Sequence, residues 1–271
     1  MDMNIVITTL GRPERQVALR QIPEELHEKV YVFTEEAYAD ELAKHIPLTV
    51  NLRTLPDETD GIAQTRQRAI EALPKGKVWI IDDLCRFKKK HHINGKPSNK
   101  VVEPHEFIEC YELIESLLDN YFQVALSPQF GNHGHPQQHR PIGRAYSCYG
   151  LRTDIMERAN IRFDGMYQRN PEVKFMEDFY ITMDGLTKGY PNTVVYDFCF
   201  EYHHNTDGGN SLNRTLDGHA QSAIALSQLF PGCIKLVKKE GSWGKIKNMD
   251  SRIEIRASWK KAFEQGRKKR R

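Results

Sequence analysis

No stretch of the 271-residue chain approaches the roughly 20 consecutive apolar residues that a membrane helix needs. The N-terminus, Met1-Asp2-Met3-Asn4, has neither the basic region nor the apolar centre of a secretion signal. Both absences fit a chain that works in a cytoplasm and away from the membrane. The cysteines agree. There are 5 of them, Cys85, Cys110, Cys148, Cys199 and Cys233, odd in number and without CxxC spacing. Scattered thiols fit a reducing compartment and argue against a disulfide framework or a zinc finger. Several catalytic signatures are missing too: no G-x-x-x-x-G-K-[ST] loop, no G-x-G-x-x-G after a strand, no G-x-S-x-G elbow and no H-E-x-x-H. Their absence weakens nucleotide hydrolase, dehydrogenase, esterase and metalloprotease functions.

What is present is enough apolar material for a sizeable core: 39% hydrophobic residues, with 12 Phe, 11 Tyr and 3 Trp. The length allows one large α/β domain or a domain with an appendage. The net charge of +3 hides an asymmetry. Residues 235–271 carry 14 Lys/Arg against 4 Asp/Glu, whereas residues 1–234 carry 25 against 32. A basic end on an acidic body suits a polyanionic partner, or a solvated tail that aids solubility. Trp243, Trp259 and Phe263 interleave with the basic residues. That favours nucleic acid, since rings stack on bases while Lys and Arg meet phosphates.

Strand and helix signals alternate along the chain. Asn4–Leu10 predicts a first strand broken at Gly11, and Arg12-Pro13-Glu14-Arg15 a helix start. Lys29–Thr34 and Pro47–Leu52 predict strands around a helix over 35–44. Gly61–Leu73 is strongly helical, with Ile62, Ala69, Ile70 and Leu73 on one face. The run Lys77-Val78-Trp79-Ile80-Ile81-Asp82-Asp83 predicts a buried strand. Residues 87–100 are basic and carry Asn94-Gly95, a hairpin-turn dipeptide. They form an insertion just beyond the carboxylate pair. Helices over 106–118, from 153, over 176–189 and from 213 to 230, with strands over 122–126, 144–152 and 193–202, complete a pattern that predicts a mostly parallel sheet. Between them, residues 128–141 make a long polar loop of the kind that is usually functional.

The chemistry concentrates in a few places. Asp82 and Asp83 end a buried strand, where two like charges are costly without a neutralising cation. A divalent metal holding a diphosphate is one solution; a turn that merely stops the strand is the other. Arg66 on the helix after Gly61 can meet phosphate oxygens or lie on the surface. Glu177-Asp178 begins a helix, so the pair either stabilises the helix start or supplies a general base, Asp178. His203-His204 follow a strand and either play a structural part or complete a metal site begun by Asp83. His133, His135 and His139 have zinc-like spacing but no obvious fourth ligand.

In this order the motifs resemble glycosyltransferases of the GT-A fold, over about residues 3–210. Ile7-Thr8-Thr9-Leu10-Gly11-Arg12 looks like the first strand and loop of that fold. Gly61-Ile62-Ala63-Gln64-Thr65-Arg66 is similar to its arginine-bearing helix, and Ile80-Ile81-Asp82-Asp83 to its Asp-x-Asp motif, although Leu84 stands at the usual third acidic position. Leu151–Ile155, Ile161–Asp164, Met176-Glu177-Asp178, Gly189-Tyr190 and His203-His204 follow the order of the second half.

The resemblance implies an α/β, Rossmann-like, mostly parallel central sheet flanked by helices, with a basic C-terminal extension. It divides the chain into a catalytic domain over 1–212, with a nucleotide-sugar half over about 1–100 and an acceptor half over 101–212, and a helical, basic extension over 213–271. It implies donor contacts from Thr8, Arg12, Arg66, Asp82 and Asp83. Mn²⁺ or Mg²⁺ would rest on Asp82 and Asp83 with His203 or His204. Asp178, beside Glu177, would be the base of an inverting transfer from a nucleotide-sugar such as a UDP-sugar. Within the fold, ITTLGRPERQ, IIDDLCRF and the basic additions look most like the phage TET/JBP-associated glycosyltransferases. That likeness implies an acceptor hydroxyl on a hydroxymethylated pyrimidine in DNA. Tyr146, Tyr149 and Tyr167 then either stack on the base or pack in the core. Arg86, Lys88, Lys89 and Lys90 in the insertion, and Lys245, Lys247, Lys260 and Lys261 near the C-terminus, would meet the DNA. The alternatives are a GT-A enzyme acting on a polysaccharide or protein, and an inactive nucleic-acid-binding protein.

Overall fold

The computed structural model describes residues 2–56, 61–171, 175–202, 215–240 and 251–270. The first half runs β1 (Asn4–Thr8), β2 (Val30–Glu35), α1 (Glu36–Ala43), β3 (Asn51–Leu55), α2 (Ile62–Glu71), β4 (Lys77–Asp82), β5 (Cys85–Ile93), β6 (Lys96–Val101) and α3 (Pro104–Leu117). The second continues with β7 (Gln123–Pro128), β8 (His139–Pro141), β9 (Cys148–Arg152), α4 (Thr153–Arg158), α5 (Gly165–Arg169), α6 (Glu177–Thr187) and β10 (Asn192–Tyr202). The last part holds α7 (Leu216–Leu229), β11 (Ile234–Lys239), β12 (Arg252–Ala257) and α8 (Trp259–Arg270).

Ten strands form one sheet in the order β3-β2-β1-β4-β9-β7-β10-β5-β6, with β8 paired to β10. Strands β3, β2, β1 and β4 are parallel, as are β7 and β10. Strand β9 is antiparallel to both β4 and β7, so it joins two groups that point the same way. Their carboxyl ends therefore open on one edge of the sheet, where α/β folds place their ligands.

The apolar runs of β1 and β4 are buried on both faces, as strands covered by helices on each side must be. Successive side chains alternate between the two faces. Val6, Val78 and Ile80 join one core layer with Ala63, Ala69 and Ile70 of α2 and Tyr180 and Ile181 of α6. Ile5, Ile7, Trp79 and Ile81 join the other, with Phe107, Tyr111 and Ile114 of α3. Trp79 is fully buried there, 5.4 Å from the rings of both Phe87 and Phe107. This parity, set by β4, decides what the carboxylates beyond it can touch.

Several local expectations change: the loop over 128–141 ends in β8, and the strand expected from 144 starts at Cys148. The segment after Gly11 is not an α-helix; it is a run of turns, followed by short 3-10 turns at Leu19–Gln21 and Glu24–Lys29. Its side chains are tied to Asp83 and its neighbours instead. The third strand lies at Asn51–Leu55 rather than at 47–52. The insertion is a β-hairpin, β5–β6, turning at Asn94 and Gly95 with φ of 50° and 74°, the positive values that a two-residue hairpin turn requires.

At the C-terminus, α7 precedes the antiparallel pair β11–β12. Helix α8 then packs on α6, close enough that Gly266 faces backbone: a Cβ there would lie 2.2 Å from the Leu186 carbonyl oxygen. Among the described residues no helix is long and apolar enough to cross a membrane. All five cysteines are buried, and burial raises the pKa of each thiol.

Candidate active site at the carboxyl ends of the strands

Strands β1 and β4 end side by side, with Thr8 paired to Asp82. By the alternation of the strand, Asp82 follows Val78 and Ile80 towards α2 and α6. Asp83 lies in the turn just beyond the strand, against the β1 loop. Its carboxylate is 5% exposed and accepts hydrogen bonds from the Thr9 hydroxyl at 2.9 Å and the Arg12 guanidinium at 3.3 Å. Gln16 braces that loop, donating to the Thr9 hydroxyl at 3.2 Å and the Arg12 carbonyl at 3.0 Å. The expectation that both aspartates grip one ion therefore shifts to Asp82. Asp83 and Arg12 fasten the β1 loop to the end of β4. Burial pushes the Asp83 carboxyl up to about 6, against the pull of Arg12 and Thr9. Thr8 lies on the Asp82 side, buried, with a hydroxyl oxygen that has no hydrogen-bond partner among the described residues.

Arg66 is the centre of the Asp82 side. It sits on the buried face of α2 among Ala63, Ala69 and Ile70 and is only 2% exposed. Its guanidinium forms ion pairs with Asp82 and with Glu177, each at 2.5 Å, and donates to the Tyr149 hydroxyl at 3.2 Å. Removing one partner from a buried pair typically costs 3–5 kcal/mol, so this cross-link fixes α2, β4, β9 and α6 relative to each other. Tyr149 is fully buried in this network, so it is not available to stack on a base. It holds Arg66 instead.

Glu177 and Asp178 open α6, where the helix dipole favours negative charge. The turn before them is unusual: Met176, a non-glycine residue, has φ 69° and ψ 33°. Residues held in the left-handed region away from glycine are uncommon and recur at functional sites. Burial raises the pKa of the Glu177 carboxyl and the adjacent Asp178 adds to it, while Arg66 opposes both. Asp178 is half-buried, and one of its oxygens accepts the Phe179 backbone N–H at 2.9 Å. Four of the expected site residues thus converge: Asp82, Arg66, Glu177 and, beside them, Asp178. Thr8 shares their face.

Asp82 is the more accessible of the two acids bound to Arg66, with 18% of its side chain exposed against 11% for Glu177, and Arg66 is bound to one of its carboxylate oxygens only. Among the described residues no three His, Cys, Asp or Glu side chains are placed to share an ion. His203 and His204 lie outside the described residues, as do Lys245 and Lys247. Strand β10 reaches its last residue, Tyr202, opposite Cys85, three positions past Asp82. The remaining histidines go separate ways. His135 stacks on Tyr196 with ring centres 3.9 Å apart, and His139 Nδ1 is 3.0 Å from the Thr193 hydroxyl.

The basic insertion is less cationic than its sequence. Lys88 pairs with Glu201 at 3.1 Å, Lys89 with Glu106 and Glu109, and Lys90 with Asp197 at 3.4 Å. Arg86 is exposed, as are Lys260 and Lys261 at the start of α8.

No family model matches the chain. In sequence it is 22% identical over 220 residues to the beta-glucosyl-HMC-alpha-glucosyl-transferase of Enterobacteria phage T2, covering 76% of this chain and 73% of that protein. It is 21% identical over 244 residues to the transferase of the same name from phage T6, covering 84% and 81%. In structure it superposes on residues 1–349 of TarS from S. aureus, solved with UDP-GlcNAc, with a TM-score of 0.53 at 14% identity over 84% of this chain and 67% of that 1–349 fragment. The mannosyltransferase PcManGT of Pyrobaculum calidifontis, solved with GDP-Man and Mn²⁺, gives a TM-score of 0.51 at 11% identity over 83% of this chain and 62% of its own. With these likenesses and the strand-end site together, the chain is a glycosyltransferase of the GT-A fold.

Proposed function

We propose that the protein moves a sugar from a nucleotide-sugar donor, a UDP-sugar first among them, to the hydroxyl of a hydroxymethylated pyrimidine in DNA. The observation that carries this reading is the Arg66 cross-link, which holds Asp82 and the Glu177-Asp178 turn together at the open edge of a GT-A sheet. The two phage relatives, each named for HMC, support the acceptor.

The donor set at the site suits a hard cation. Mg²⁺ and Mn²⁺ take carboxylate oxygens, and Mg²⁺ is often bound by one or two carboxylates plus substrate phosphates. Asp82 would hold the ion, with His203 or His204 as a further ligand. When bound, the ion neutralises the diphosphate and makes it a better leaving group.

The chain's own residues do the rest. Arg66 keeps Asp82 and Glu177 from repelling each other and fixes their spacing. The Thr8 hydroxyl meets the donor from the end of β1, while Arg12 holds the loop in which that end lies. Asp178 takes the proton of the acceptor hydroxyl as it attacks the anomeric carbon, with inversion. A base inside a duplex must first be extruded, at a few kcal/mol. Tyr146 and Tyr167, both half-buried, are the tyrosines left to receive it.

The test is incubation of the protein with hydroxymethylcytosine and hydroxymethyluracil DNA, a panel of nucleotide-sugars and Mn²⁺, followed by nucleoside mass spectrometry. A hexose or pentose mass added to the modified base is the expected result. Donor turnover with no sugar on any DNA would overturn the acceptor assignment.

A further inference from the structure

Beyond the strand-end site, a groove of about 570 Å³ runs between the start of α8 and the β8–β10 pair. Its cations are Arg140, Lys260 and Lys261, its rings are Tyr196 and Trp259, and Glu264 is the acid on its wall. The three cations are exposed, and none forms an ion pair with an acid among the described residues. This contrasts with Lys88, Lys89 and Lys90, which are all paired. The rings are half-buried and held in place: Tyr196 by His135, stacked at 3.9 Å, and Trp259 by Phe179, with ring centres 5.4 Å apart.

The groove is joined to the reaction site through Phe179. That residue follows Asp178 and donates its N–H to the Asp178 carboxylate. The exposed Arg144 guanidinium lies 4.5 Å from the Phe179 ring centre and 4.3 Å from that of Tyr146. A strip of cations and rings therefore runs from Lys260 and Lys261, over Trp259 and Phe179, to Arg144. Cations spaced along a groove neutralise successive phosphates, and interleaved rings accept unstacked bases. A neutral polysaccharide offers neither group.

Resting on the DNA-acceptor reading above, we propose that this groove holds the phosphate backbone of the acceptor strand next to the nucleotide being glycosylated. Arg140, Lys260 and Lys261 act as phosphate contacts. Tyr196 and Trp259 act as stacking platforms. Helix α8 is thus part of the acceptor site and not a solvated tail.

The experiment is fluorescence anisotropy with a labelled hydroxymethylcytosine duplex, without donor, across a salt series. Each phosphate contact contributes about 0.9 to the slope of log K against log salt. Combining Arg140→Ala, Lys260→Ala and Lys261→Ala should lower that slope by roughly 2 to 3 and weaken binding at least about ten-fold at low salt. Replacing both lysines by arginine should keep the wild-type slope. Removing Lys75 and Arg158, which lie outside the groove near the amino end of β4, should also keep it.

An unchanged slope in the triple variant, or an equal drop in the Lys75/Arg158 control, overturns the proposal. So does equal affinity for inorganic polyphosphate, which has no bases to stack. The two readings fail separately. If wild type glycosylates DNA but the triple variant binds it with the wild-type slope, the groove assignment falls alone. If the groove variants change the slope while wild type transfers no sugar to DNA, the acceptor assignment falls, and with it the groove's part in the acceptor site, leaving a DNA-binding surface alone.

Discussion

Asp178 and Asp83 show how differently two acids in one site behave. Asp178 stands at the first turn of α6 with one oxygen held by the Phe179 N–H, a fixed orientation suited to proton transfer. A positioned general base contributes about 10²–10⁴-fold. Asp178→Asn, which keeps shape and that hydrogen bond, is expected to lower turnover by that order while the donor dissociation constant stays put. Turnover within a few-fold of wild type, measured as released nucleotide, would remove Asp178 from the chemistry. Asp83 is bound on both carboxylate oxygens by Thr9 and Arg12. Burial lifts its pKa from 3.8 to about 6. Between these values the folded chain keeps a proton that the unfolded chain has lost, so its contribution to stability falls as pH rises through that window and is level above it. The Asp83→Asn variant loses this contribution. The gap in thermal midpoint between variant and wild type should therefore change from about pH 4 to 6 and stay constant above; a gap that does not move with pH would refute the assignment. The apolar run of β4 marked in sequence where the pair would stand: Asp82 ends the strand and Asp83 starts the turn beyond it, where Thr9 and Arg12 bind it. Arg66 was legible in the same manner: it is the charge set in the middle of the Ile62, Ala69, Ile70, Leu73 stripe of α2. What sequence could not supply is the partner list. Glu177 is 111 residues from Arg66 and Tyr149 is 83 away, and nothing local marks either as its mate.

At the scale of elements, the strands of the parallel core follow from unbroken apolar runs, and the β5–β6 hairpin from Asn94-Gly95. The loop after Gly11 does not follow. Pro13 and the charges around it have the composition of a helix start, yet Thr9, Arg12 and Gln16 are drawn into hydrogen bonds around Asp83, a tertiary demand that outweighs local preference. Helix α8 meets α6 most closely at Gly266. A Cβ at Gly266 would fall 2.2 Å from the Leu186 carbonyl oxygen and 2.4 Å from the Gly189 nitrogen, and backbone atoms cannot swing aside. Gly266→Ala gains about 1 kcal/mol in helix propensity, but the overpacking cost of roughly 1–3 kcal/mol should win and lift α8 off α6. Limited proteolysis with intact-mass readout is the check: early cleavage within 259–270 is expected, and protection equal to wild type would show that the contact can relax.

For the whole molecule, the charge asymmetry was visible in composition, and its use was not. The basic hairpin spends its lysines on Glu201, Glu106, Glu109 and Asp197, whereas Arg140 and Lys260, 120 positions apart in the chain, meet across one groove. Only folding reveals which cations are left over. The separation of donor site and groove leads to a prediction about metal removal. Chelation should abolish sugar transfer and weaken nucleotide-sugar binding, while affinity for DNA in the absence of donor is kept. Calorimetry of both ligands before and after chelator checks this, and loss of DNA affinity would tie the two sites together. The buried thiols have a practical corollary. With all five sealed inside and their ionisation suppressed, the folded protein should present a silent background to maleimide dyes. A cysteine placed at an exposed point such as Lys96 on the hairpin tip would then take up a fluorophore alone, with the native chain's own failure to label as the control.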